Sequence, residues 1–284
     1  MIPSNFDYVA PTTVEDAVTA LAEGGEDAKV LAGGQSLLPV LRLRLAAPTI
    51  VVDLGRIDEL RGVREDGDAL VIGAMTTHYD VLRNSLVHQH AQLLAEATRT
   101  VAEPQIRHRG TLGGSVAHAD PAGDLCAPVL ALDATLTAAG PSGRRTIAAE
   151  EFFEDYLTTA LQPDEILVDI RVPKHTDWAA HYEKINRVAQ DWSIVAVAAT
   201  LQLDGGVIRQ ARVALTNMAS VPVRARGVEE ALVGQSASID LIRSAAQRAA
   251  EGTDPRDGSG ADAEYRTHLA KVLTQRAVAA AVGV

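Results

Sequence analysis

The chain has 284 residues, 47% apolar and only 4% aromatic, so a large core divided over two or three modest domains must be packed mainly with Ala, Val and Leu. Lys and Arg total 26 against 37 Asp and Glu, a net charge of −11, which excludes a nucleic-acid binder working through clustered cations. Cys126 is the single cysteine, which excludes an internal disulfide framework and any iron–sulfur cluster ligated wholly by this chain's own cysteines.

In chain order, the N-terminus MIPSNFDYVAPTT lacks a basic stretch followed by an apolar one, so no signal peptide is expected. Thr12-Thr13-Val14-Glu15 reads as a capping box in which Thr12 accepts from the Glu15 N–H. Val14, Ala17, Val18 and Leu21 follow at helical spacing, and Gly24-Gly25 closes that helix. Lys29–Ala32 is a short strand running into Gly33-Gly34. Ile50–Leu54 and Ala69–Gly73 are further buried strands, the latter behind the turn Asp66-Gly67-Asp68. Thr77–Leu82 and Ala91–Ala102 read as helices. The polar segment Glu103–Gly110 leads into a second Gly-Gly loop, Thr111–Asp124 (TLGGSVAHADPAGD). Asp120-Pro121 fits an N-cap with Pro at the first helical position, which predicts a helix over Pro121–Leu132 whose N-terminus faces that loop.

Gly140-Pro141-Ser142-Gly143 is a turn, and Glu165–Val172 is a strand ended by Pro173. The character then changes. Ser193–Leu203 and Val207–Met218 are long β-type runs joined by the hairpin signal Asp204-Gly205-Gly206. Ser238–Ala250 and Ala263–Ala281 read as helices around a Thr253–Ala261 linker, and a domain boundary falls near residue 175. No run of about 20 apolar residues exists, so nothing is expected to span a membrane and the cytoplasm is the default compartment. The eight histidines show no zinc spacing, and no metal site is expected.

The first loop, Ala32–Leu37 (AGGQSL), is a weak signal alone, because many tight turns contain Gly-Gly. It matches neither the Rossmann spacing nor the P-loop. The second is more specific: Thr111, Gly113, Gly114 and Ser115 are followed by Asp124, one to two turns into the next helix. A carboxylate there can accept from ribityl or ribose hydroxyls; a solvated helix Asp is the plainer alternative. Together the loops offer consecutive amides with no Cβ in the way, beside small hydroxyls, which suits a diphosphate held from two sides. His78, His88, His90 and His108 read as surface or loop histidines, His118 as a structural hydrogen-bonding group and Cys126 as a small buried residue. Arg107 and Arg109 meet either phosphate or a partner subunit, with the partner preferred.

Three stretches, DAKVLAGGQSLLPVLRLRLAAPTIVVDL (27–54), IRHRGTLGGSVAHADPAGDL (106–125) and AEYRTHLAKVLTQRAV (263–278), resemble the FAD-binding subunits of the molybdenum hydroxylases (the xanthine dehydrogenase family), and most of all the medium subunits of aerobic carbon monoxide dehydrogenases. The resemblance spans essentially the whole chain. It implies an α+β fold of the vanillyl-alcohol oxidase and p-cresol methylhydroxylase type. Two FAD-binding subdomains (1–55 and 56–175) would precede a C-terminal α/β domain (176–284) with an antiparallel sheet and helices. It implies FAD lined by Ala32, Gly33, Gly34, Gln35, Ser36 and Leu37, clamped by Thr111, Gly113, Gly114 and Ser115, with Asp124 holding hydroxyls. Val101 and Leu167 would lie near the adenine or ribityl part, and Lys184 near the polar edge of the isoalloxazine. Trp192 stands where many relatives have Tyr or an aliphatic residue; it could stack on the flavin ring, or be an ordinary core or interface Trp.

The implied function is electron transfer from [2Fe–2S] clusters of a small partner subunit, through FAD, to an external acceptor. The molybdenum cofactor would sit in a large subunit, the assembly would be a dimer of heterotrimers, and no nucleic acid would be bound. No residue of this chain is assigned acid, base or nucleophile chemistry. A stand-alone FAD-dependent reductase of the same fold and a non-catalytic assembly subunit are the alternatives.

Overall fold

A computed structural model describes residues 2–188, 190–258 and 260–284. Three main sheets organise them. The first unit runs β1 (Asp7–Val9), α1 (Val14–Gly24), β2 (Ala28–Leu31), α2 (Leu37–Leu43) and β3 (Ile50–Asp53). Its sheet has the order β1-β3-β2, parallel throughout. Parallel neighbours need crossovers, and α1 and α2 with their loops supply them. The helix α1 buries Val14, Ala17, Val18 and Leu21 on one face, as the spacing predicts. Its cap is Thr13 rather than Thr12: the Thr13 hydroxyl accepts from the Asp16 N–H at 3.1 Å. Either threonine can serve chemically, and the chain takes the one immediately before the first buried residue.

The second unit contains β4 (Val63–Asp66), β5 (Ala69–Gly73) and the helices α3 (His78–Arg83), α4 (Ser85–His90), α5 (Gln92–Arg99), α6 (Pro104–Arg107), α7 (Leu112–His118) and α8 (Cys126–Ala131). It continues with β6 (Thr135–Gly140), β7 (Gly143–Ala148), α9 (Ala149–Phe152), β8 (Phe153–Asp155), β9 (Thr158–Thr159) and β10 (Ile166–Pro173). The sheet order is β4-β5-β10-β6-β7, antiparallel throughout, so β10 returns to the centre after a long excursion. The helix predicted over Pro121–Leu132 is shorter and begins at Cys126. Asp120 holds a turn instead, its carboxylate accepting from the Ala122 N–H at 2.9 Å and its carbonyl from Gly123 at 2.8 Å. Asp124 therefore precedes the helix.

The third unit comprises β11 (Ala179–Ile185), β12 (Val195–Asp204), β13 (Val207–Thr216), β14 (Val223–Arg224), α10 (Arg226–Leu232), α11 (Ile239–Ala246) and α12 (Ala263–Val282). The strands form an antiparallel sheet in chain order. Gly205 and Gly206 take φ of 56° and 79° at the tip of the β12–β13 hairpin, as a primed turn requires. Period-two alternation divides the sheet's residues between two cores. Val195, Val197, Ala199 and Leu201 share one core with buried residues of α10–α12, whereas Ala196, Ala198, Ala214 and Tyr182 belong to the core of the second unit. A sheet buried on both faces explains why SIVAVAATL reads as an unbroken apolar run.

Polar contacts close the same interface. Arg224, on β14, donates to Asp133 at 2.7 Å and pairs with Glu229 of α10 at 2.7 Å; Glu229 also accepts from the Val213 N–H at 2.8 Å. No described helix is long and apolar enough to cross a membrane.

Candidate functional site

The first Gly-Gly loop leaves the C-terminal end of β2. Among the described residues, the backbone N–H groups of Gly33, Gly34, Gln35 and Ser36 donate to no protein acceptor. Gln35 folds its amide back onto the Gly33 carbonyl at 3.0 Å, and the Leu38 N–H reaches the Gly34 carbonyl at 3.1 Å to start α2. Gly34 sits at φ +75°. The loop is thus fixed while four consecutive donors stay unpaired, and such a run of amides is an anion cradle. Leu37 opens α2, half-buried.

The second loop is built differently. The Leu112 and Gly113 N–H groups donate to Thr76 O at 3.0 Å and Ala74 O at 2.9 Å. Those of Gly114 and Ser115 donate to Thr111 Oγ1 at 3.0 Å and Thr111 O at 3.1 Å. All four amides are therefore spent inside the protein. What this loop still offers an anion is the pair of hydroxyls on Thr111 and Ser115. The two carbonyls outside the loop belong to Ala74 and Thr76, in the short link between the expected strand Ala69–Gly73 and the expected helix Thr77–Leu82. Thr77 also bridges to Thr111, and the Ala74 N–H is held by Val168 O at 2.8 Å, at the bulge in β10. A Cβ on Gly113 would lie 2.7 Å from the Ala74 Cα, so that glycine sets how closely the loop meets its backing.

The two loops meet each other. A Cβ on Gly33 would stand 2.7 Å from the Gly110 Cα, and one on Gly114 would stand 3.2 Å from the Ala32 Cβ. Four amides from one loop and two hydroxyls from the other share a narrow cleft. That is a donor set fitting a diphosphate, and a side chain at Gly33 would strike the Arg109 carbonyl, while one at Gly114 would lie 2.7 Å from Thr111 Oγ1, forcing the loops apart.

Asp124, at the end of the second loop, is 7% exposed. Its Oδ1 accepts from Tyr182 Oη at 3.0 Å and Ser193 Oγ at 2.9 Å, and its Oδ2 from Lys184 Nζ at 2.9 Å. All three donors come from the third unit. Tyr182 and Lys184 lie two apart on β11 and so face the same side. Burial pushes the Asp124 carboxyl above the ordinary carboxylate range, while Lys184, Ser193 and Tyr182 pull it back. The Lys184 side chain is only 6% exposed. Trp192 is exposed, at the rim of a cavity of about 240 Å³ that Asp120, Ala122, Ser193, Asn217 and Arg266 also line.

The remaining residues divide. Arg107 is committed within the chain: its guanidinium donates to the Val101 and Ala102 carbonyls at 2.8 and 2.9 Å, fastening Ala102 in the left-handed region (φ 39°). Arg109 is exposed, and its carbonyl packs on Gly33. Leu167 is buried in the core beneath α7, with Val101 packed at its margin. His118 makes no side-chain hydrogen bond among the described residues. Cys126 is buried as expected, and burial, reinforced by Asp120 and Asp124, pushes its thiol up to about 12, so it is unreactive at neutral pH.

His78 and His90 correct the expectation of surface histidines; they are 2% and 7% exposed. His78 begins α3, its N–H donating to Gly110 O at 2.9 Å and its Nε2 lying 3.2 Å from Ser115 Oγ. Burial, aided by the charge of Arg107, draws its pKa down to about 4, so the ring is neutral at pH 7. No sequence signal marks it: a histidine one residue after an N-cap threonine has no pattern to distinguish it.

Comparison with known proteins gives a consistent picture. The family described as the FAD binding domain in molybdopterin dehydrogenase matches residues 4–175, and the CO dehydrogenase flavoprotein C-terminal domain matches 180–281. The chain is 41% identical to the carbon monoxide dehydrogenase medium chain of Hydrogenophaga pseudoflava, covering 99% of this chain and 98% of that one. It is 36% identical to the 6-hydroxypseudooxynicotine dehydrogenase complex subunit alpha of Paenarthrobacter nicotinovorans, covering 99% and 96%. A solved carbon monoxide dehydrogenase structure from Hydrogenophaga pseudoflava superposes with a TM-score of 0.97 at 42% identity, over 100% of this chain and 99% of that one.

Two outcomes follow from these electrostatics. Lys184→Met strands the buried Asp124 carboxylate, and a loss of about 3–5 kcal/mol is expected in urea unfolding at pH 7, with much of it recovered in the Asp124→Asn/Lys184→Met double variant. An additive double variant would show that the pair is not coupled. Between pH 6.5 and about 4, His78 binds its proton in the unfolded chain but not in the folded one. Stability therefore falls as pH drops through that window, by up to about 3 kcal/mol, and His78→Gln flattens that part of the pH profile. An unchanged profile in the variant would remove His78 from the acid response.

Proposed function

This chain belongs to the FAD-binding medium subunits of the molybdenum hydroxylases, and on that premise we propose how its own residues hold and present the cofactor. It is the FAD-carrying electron-transfer subunit of an oxidoreductase, where bound FAD supplies the redox chemistry that passes electrons from partner [2Fe–2S] clusters to an external acceptor. The molybdenum cofactor and the iron–sulfur clusters belong to large and small partner subunits.

In the proposed site, the amides of Gly33, Gly34, Gln35 and Ser36 bind the diphosphate from one side, and the hydroxyls of Thr111 and Ser115 from the other. Ala32, Leu37, Gly113 and Gly114 set the width of the cleft. Asp124 turns its remaining Oδ2 acceptor position towards cofactor hydroxyls. Val101 and Leu167 line the adenine or ribityl part. Lys184, steadied by Asp124, stands at the polar edge of the isoalloxazine, where its charge favours the reduced ring. Trp192 stacks at the ring and limits access to it, which makes it the residue of this chain that bears most on acceptor choice. The observation that carries this reading is the donor set itself: four unpaired amides and two hydroxyls on loops that glycines let approach closely.

The chain divides, in the same proposal, into 1–55, 56–175 and 176–284, in keeping with its three sheets. The assembly is taken as a dimer of heterotrimers. The substrate is set by the large subunit, and relatives named for carbon monoxide and for 6-hydroxypseudooxynicotine share this same scaffold.

Native co-purification with an absorption spectrum and metal analysis tests the reading. Flavin bands with iron, molybdenum and two further chains are expected. Gly114→Val should strip the flavin while the apo chain stays folded by circular dichroism. Flavin loading at the wild-type level in that variant would sink the loop assignment.

A further inference from the structure

The diphosphate reading leaves one buried group beside the cleft without a task. His78 sits behind the second loop, with Nε2 3.2 Å from Ser115 Oγ, and its Nδ1 has no hydrogen-bond partner among the described residues. A neutral imidazole carries one proton. On Nδ1, that proton would be a buried donor with nothing to bond. On Nε2, it has Ser115 Oγ to receive it and leaves only a bare lone pair at Nδ1. Orphaned buried N–H groups are rarer than under-used acceptors, so the Nε2–H form is the one this pocket accommodates.

The direction of that bond decides what Ser115 can do. When Ser115 Oγ accepts from His78, its own proton is released to point elsewhere. All four amides from Leu112 to Ser115 are consumed within the protein, so between Thr111 and Ser115 the loop meets an anion through its two hydroxyls, and this proton is one of them. The residue is also pinned. The backbone N–H of His78 donates to Gly110 O at 2.9 Å, a Cβ on Gly110 would lie 2.9 Å from the His78 Cδ2, and Thr77 bridges to Thr111.

We propose that His78 is a positioning residue for the cofactor, donating from Nε2 to Ser115 Oγ and so aiming the Ser115 hydroxyl proton at a diphosphate oxygen. The assignment rests on the reading that the two Gly-Gly loops hold FAD. It implies that a residue with no contact to the flavin sets part of its affinity.

The test measures FAD dissociation constants by fluorescence quenching on the full chain, stripped of flavin and reloaded, for wild type, His78→Gln, His78→Asn, His78→Leu, Ser115→Ala and the His78→Leu/Ser115→Ala double variant. The Gln amide reaches the Nε2 position and keeps a donor there; Asn is too short, and Leu has none. Leu, Asn and Ser115→Ala should each weaken FAD about tenfold. The double variant should be no weaker than either single one, and Gln should stay within about threefold of wild type. Additive losses in the double variant, wild-type affinity in Leu and Asn, or a Gln variant as weak as Leu would each overturn the relay while leaving FAD binding intact. If Leu does not fold, the Asn and Gln pair decides alone. Failure of the wild-type chain to bind FAD would overturn the cofactor reading itself, and this inference with it.

Discussion

A buried carboxylate must find donors, and the donors available to Asp124 all lie across a domain boundary. Tyr182, Lys184 and Ser193 belong to the third unit, while Asp124 ends a loop of the second. The cost of burying this charge is met only when the two units are docked. Other features inherit their positions from that bond. Ser193 fixes the segment that carries Trp192. Asn217 adds to it: its side-chain amide donates to the Ser193 carbonyl at 2.7 Å and its backbone N–H to the Pro121 carbonyl at 2.8 Å. The cavity beside Trp192 lies where these contacts hold residues 191–194 against 120–122.

The cleft divides its labour unequally. One loop contributes backbone donors that nothing else uses, so they need no side chain to aim them. The other has committed its amides to a rigid backing and works through hydroxyls, which rotate and must be told where to point. Rigid amides and steered hydroxyls together give a preorganised surface for an anion, at the expense of tolerating almost no substitution at the glycines between them. Gly33 and Gly114 are constrained by what lies opposite and not by their backbone angles, neither of which is left-handed.

Much of this was legible in the sequence where the requirement is local. Ala69–Gly73, the Asp204-Gly205-Gly206 hairpin and both Gly-Gly loops announce themselves by composition within a few residues. The charged edge strands β4 and β7, with Arg64, Glu65, Arg144 and Arg145, lack an apolar face to read, and β11 escaped for the same reason. The turn at Asp120 hid because Asp-Pro fits a helix start equally well, and only the Ala122 and Gly123 amides reveal the choice made. The partners of Asp124 lie about sixty residues downstream, and those of the second loop are the carbonyls of Ala74 and Thr76, in a link of three residues too short to carry a pattern. Long-range polar pairing leaves no trace in a single sequence, so His78 and His90 read as surface residues although both are buried.

The alanine-rich face of β12 and β13 has a consequence for how the molecule is made. Residues up to about 175 emerge from the ribosome before the sheet that covers them exists. At roughly 5–20 residues per second, the missing third takes on the order of 5–20 s to follow. Through that interval the second unit shows water the apolar surface later sealed by Ala196, Ala198 and Ala214. Asp124 meanwhile keeps its charge hydrated, because its three donors have not been translated. A nascent chain stalled there would be sticky but not locked, and completion of the C-terminal sheet is the event that commits it to the native state.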